Sequence, residues 1–86
     1  MFARRLAVLL LDDGEARPVS KAWLDQFFMR SFTGHSAFDH VLPVSDGVIE
    51  AGFGVDADLA RKSLEHWLRG RRMISDSAEL VLREPA

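Results

Sequence analysis

The chain has 86 residues, 48% of them apolar and 28% charged, a balance that builds one globular domain and excludes a disordered polymer. Its formal net charge of −2 excludes the strongly basic class of nonspecific nucleic-acid coats. There is no cysteine, so neither disulfides nor zinc–thiolate clusters can staple the fold, and a reducing, cytoplasmic setting is the expectation.

Arg4 and Arg5 precede an apolar run over residues 6–11 that Asp12 and Asp13 end. That is shorter than the about 7–15 apolar residues of a secretion signal. No stretch approaches the ~20 apolar residues of a membrane span. Residues 5–12 read instead as a strand, and their continuous apolar character predicts cover on both faces. Asp12-Asp13-Gly14 is a turn signal. Residues 15–18 read as a loop ending at Pro18, and Ser20 is placed to cap a helix.

That helix is predicted over residues 21–32. Trp23, Leu24, Phe27, Phe28 and Ser31 share one face, with Lys21, Asp25 and Arg30 opposite. Residues 33–36 end it. Residues 40–55 read as two strands around Ser45-Asp46-Gly47, because Asp-Gly between apolar runs signals a hairpin. In the second arm Ile49, Ala51, Phe53 and Val55 alternate with Val48, Glu50, Gly52 and Gly54, which predicts that the first set is buried. Pro43 suits an edge strand, since proline cannot donate to a ladder.

A second helix is predicted over residues 56–73. Asp56 is its cap, Asp58 sits in its first turn, and Ala60, Leu64, Trp67 and Leu68 form its apolar stripe. Gly70 is the expected stop. A turn at residues 75–77 leads to a last strand over 79–84. The order β-α-β-β-α-β predicts a single α+β domain over residues 1–86: a ferredoxin-like sandwich with two helices on one face of an antiparallel sheet. Its first and third strands would be central, and its second and fourth would be edges. The alternative is a winged helix, with a short helix near residues 47–53, a turn at 54–56, the basic helix in a DNA groove, and residues 71–84 as the wing. Gly47 and Gly52 weigh against that short helix, at about 1 kcal/mol each.

The early apolar strand, the helix with WLDQFF, the later helix ending HWLRGRR and the segment SAELVL together resemble the YggL-type small bacterial proteins that bind the large ribosomal subunit. The resemblance implies a ribonucleoprotein partner. The chain departs from that family's basic N-terminal arm and aromatic C-terminal end, and no functional residue carries over.

Candidate chemistry is sparse. His35, Asp39 and His40 fit no standard zinc spacing, and His66 falls on a solvated helix face. Asp12 and Asp13 are explained by their turn more simply than by a magnesium ion. G-x-S-x-G and phosphate-loop patterns are absent. The chain has no asparagine, which the acylphosphatases that share this fold plan use beside an arginine. An RNA-binding sheet would need exposed aromatics, and the one sheet candidate, Phe53, has a core phase.

No catalytic, metal or cofactor site is therefore expected. The feature above background is the basic group Arg61, Lys62, Arg69, Arg71 and Arg72 at the second helix. It either complements the helix dipole or docks an acidic surface. The expectation is a non-enzymatic interaction module, a small adaptor or inhibitor. It would bind a protein or ribonucleoprotein through that patch or through an edge strand, with self-association as a further route and DNA binding as the alternative.

Overall fold

The computed structural model describes residues 3–29, 40–52 and 54–84. In chain order the elements are β1 (Ala3–Asp12), β2 (Glu15–Pro18), α1 (Lys21–Phe28), β3 (Val41–Ser45), β4 (Val48–Gly52), α2 (Ala57–Gly70) and β5 (Glu79–Arg83). β1 pairs with β5 along one edge. Along its other edge it pairs with β4 through residues 3–7 and with β2 through residues 9–12, and β3 lies outside β4. All these pairings are antiparallel. The lateral order β5-β1-β4-β3 is the expected ferredoxin-like plan, with β1 and β4 central.

Residues 48–52 form a strand paired on both sides, so the segment that a winged helix would need as its first helix is extended. The strand is shorter than expected: it stops at Gly52, and Gly54 takes a positive φ of 88° in the turn that follows. Phe53 and residues 30–39, which include the predicted end of the first helix and His35 and Asp39, lie outside the described residues.

The sequence reading of residues 15–18 as loop is corrected. Asp13 and Gly14, with φ of 51° and 79°, make a two-residue hairpin turn that opposes Asp12 to Glu15 and Leu9 to Pro18. Positive φ at both central residues matches the right-handed twist of the flanking strands.

One face of the sheet carries the core. Leu6, Val8 and Leu10 of β1 meet Ile49, Ala51, Val41 and Leu80 there. Onto them pack Leu24, Phe27 and Phe28 of α1 and Ala60, Leu64 and Leu68 of α2. Ser20 caps α1 by accepting from the Trp23 amide at 3.3 Å, and Asp56 caps α2 by accepting from the Leu59 amide at 3.1 Å. Phe27 bridges the helices, with its ring centroid 5.4 Å from that of Trp67.

Midway along β1, where β2 ends and β4 begins, three backbone bonds close a ring. Val8 donates to the Gly47 carbonyl at 2.7 Å, Gly47 to Val19 at 2.6 Å, and Val19 to Val8 at 3.1 Å. Asp46, in the same turn, accepts from the Lys21 amide at 2.8 Å and so ties the hairpin to the first turn of α1. Gly47 has φ of 69°, and a Cβ built on it would stand 2.5 Å from Pro18 Cβ. Only glycine fits here.

α2 stops at Gly70, as expected, but glycine is not the residue that closes it. Gly70 is the last helical residue, and Arg72 takes the left-handed position with φ of 58°. The Arg72 amide donates to Arg69 and the Met73 amide to Leu68, which is the Schellman pattern with arginine where glycine is usual.

Two outcomes follow for urea unfolding. Gly47→Ala combines a left-handed penalty with a clash, and should cost about 2–4 kcal/mol. Arg72→Gly relieves a left-handed side chain, and should raise stability by about 1 kcal/mol.

Candidate functional site

The basic residues of α2 do not gather into one free patch. Arg61, Glu65 and Arg69 are spaced four apart and line the side of the helix next to β5. Glu65, whose side chain is 18% exposed, accepts from Arg69 at 3.3 Å, lies 3.5 Å from Arg61, and accepts from the Leu80 amide at 2.8 Å. Arg61 donates to the Leu80 carbonyl at 3.4 Å and Arg69 to the Ala78 carbonyl at 2.7 Å. These three side chains thus occupy the outward backbone groups of Leu80 and the Ala78 carbonyl, part of what an edge strand would otherwise offer to another chain. Lys62 pairs with Asp58 at 3.2 Å. Hydrogen bonds from Lys62 and Arg61 hold the Asp58 carboxyl below its ordinary range. That contribution is present at neutral pH and disappears as acid protonates Asp58. Arg71 stacks its guanidinium 4.9 Å from the Trp67 ring centre. Arg72 stands apart, on the turn after the helix.

The opposite edge is guarded too. Among the described residues β3 pairs only with β4; it carries Pro43 and has a register shift between Pro43 and Ser45. Proline and irregularity are the usual blunting of an exposed edge.

The second face of the sheet is different. The continuous apolar run of β1 led to an expectation of cover on both faces, but among the described residues both helices pack on one. Residues paired across antiparallel strands point to the same side. The outward rows are therefore Val81–Leu9–Pro18, Glu79–Leu11–Ala16, Arg83–Ala7–Val48 and Arg5–Glu50–Leu42. Ala7, Leu9, Leu11, Val48 and Val81 are half-buried and lie apart from the side chains packed on the core. Ala16, Pro18 and Leu42 are exposed, Leu42 at 51%. The charges around this apolar centre are balanced, with Arg5 and Arg83 against Glu50 and Glu79, and Arg5 lies 3.4 Å from Glu50. None of the described residues in these four rows is aromatic; His40 lies at the end of the face, beside Gly52.

Sequence reasoning missed this face because a continuous apolar strand reads the same whether its second side meets a helix or another molecule. The signal was present in the strands beside it. Glu50 and Glu79 each stand between buried residues, which marks a side that no described helix covers.

The chain matches no protein-family model, no curated protein and no solved structure. No described helix is long and apolar enough to cross a membrane.

The clamp on β5 gives a direct check. Glu65→Ala leaves Arg61, Arg69 and the Leu80 amide without their common acceptor. It should cost about 1–3 kcal/mol, and hydrogen exchange at Leu80 should accelerate before that of the β1 amides.

Proposed function

We propose that this protein is a non-enzymatic interaction module whose working surface is the helix-free face of its sheet, and that the occupant of that face is a second copy of the chain. The observation that carries the reading is the apolar centre Ala7, Leu9, Leu11, Val48 and Val81, set apart from the core and ringed by charges of both signs.

Three features favour a second copy. The molecule is a slab of 38 × 32 × 20 Å, broad enough in its larger dimensions for the ~800 Å² that each partner of a standard interface buries. The rim carries equal numbers of cations and anions, so two copies related by a two-fold axis can set Arg against Glu rather than like against like. A domain of this size has little core of its own and gains most by sharing one. Two such faces packed about 10 Å apart would form a four-layer α-β-β-α assembly.

Strand addition and the basic helix patch, the routes suggested by sequence, have weaker support. The β5 edge is tied down by Glu65, Arg61 and Arg69, and the β3 edge is interrupted by Pro43.

Sedimentation equilibrium tests the proposal. The unaltered chain should be dimeric, and Leu9→Glu, at a half-exposed position outside the core, should raise the dissociation constant by about tenfold or more. Lys62→Glu should leave it unchanged. A monomer at all concentrations, or a dimer indifferent to Leu9→Glu, would overturn the proposal.

A further inference from the structure

A cleft of about 420 Å³ lies between the end of β1, β2 with the first turn of α1, and the turn leading from α2 to β5. That volume is within the ~300–1,000 Å³ of small-ligand sites. Arg17, Ser20, Trp23, Arg72 and Ser75 line it, and Asp12 is its one acid. Its formal charge from Arg17, Arg72 and Asp12 is therefore positive.

Two arginines line the cleft, one without an ion pair and one weakly paired. Most described cations are engaged by a carboxylate or a ring; Arg72 and Arg83 have neither, and of these two Arg72 lines the cleft. Arg17 makes the longest ion pair among the described residues, 3.9 Å to Asp12, with its side chain 61% exposed. Arg72 also occupies the left-handed position at the helix end, where glycine is cheaper. A strained arginine with no partner, aimed at a positive cleft, is a side chain kept for something other than stability.

We infer that this cleft binds a small phosphate monoester carrying a planar ring, the chemistry of a nucleoside monophosphate. Arg72 and Arg17 take the phosphate oxygens in charge-assisted, forked hydrogen bonds. The hydroxyls of Ser20 and Ser75 supply neutral donors, and the half-buried indole of Trp23 gives the ring a flat wall. The inference stands apart from sheet-face docking: Arg17 is opposite Leu10, on the helix side of the sheet.

Titration of the full chain with adenosine, guanosine, cytidine and uridine monophosphates, followed by amide and indole NMR shifts, tests it. At least one should give saturable shifts at Trp23 and around Arg72. Inorganic phosphate should bind more weakly, and adenosine should not compete. Arg72→Gly should weaken binding about tenfold or more while its urea midpoint rises, which separates lost recognition from lost folding. Arg17→Gln should weaken it as well. No saturable shift with any of the four up to ~10 mM, or unchanged affinity in Arg72→Gly, would overturn the inference.

Discussion

The fold depends on how β1 is satisfied along one edge by two different strands. A ten-residue strand cannot be matched there by β2, which is four residues long, nor by β4, which is five. Between them the backbone of Val8 would be left without partners in a fully buried setting, at a cost comparable to a lost hydrogen bond for each group. The ring of bonds among Val8, Gly47 and Val19 closes that gap. It does so only because the residue at the tip of the second hairpin has no side chain. The same tip places Asp46 over the start of α1, so one turn fixes the relative positions of β1, β2, β4 and the first helix.

The charged side of α2 has a comparable structural duty. Arg61, Glu65 and Arg69 occupy the start of the outer edge of β5, at Ala78 and Leu80. Arg69 does so with its Nε buried and without a partner, a cost accepted alongside the 2.7 Å bond to Ala78 and the pairing to Glu65. With the start of that edge occupied and the β3 edge carrying Pro43 and a register shift, edge-to-edge pairing is disfavoured, which suits the face-to-face association proposed above.

Most of the architecture was legible in the residues. The apolar run of β1, the Asp46-Gly47 hairpin, the alternation of Ile49 and Ala51, and the caps Ser20 and Asp56 all carry local chemistry that specifies local structure. Three features were not legible, each for a physical reason. β2 is exposed at every residue and has no apolar period to reveal it; only the register imposed by Asp13-Gly14 makes it a strand. The left-handed residue that closes α2 is Arg72 rather than the nearby glycine, because the bonds from Arg72 and Met73 to Arg69 and Leu68 choose the position. The basic residues looked like a surface patch because their partners, the backbone of Ala78 and Leu80, lie 9 and 19 residues away from Arg69 and Arg61.

The central claim is that the helix-free face of the sheet is covered by another copy of the same chain. Isotope-filtered NMR on an equimolar mixture of methyl-labelled and unlabelled protein tests it most directly, because it reports only contacts between molecules. The account predicts intermolecular cross-peaks that link the methyls of Leu9, Leu11 and Val81 to one another. Cross-peaks confined to α2 or to the strand edges, or none at concentrations where the protein is associated, would contradict it.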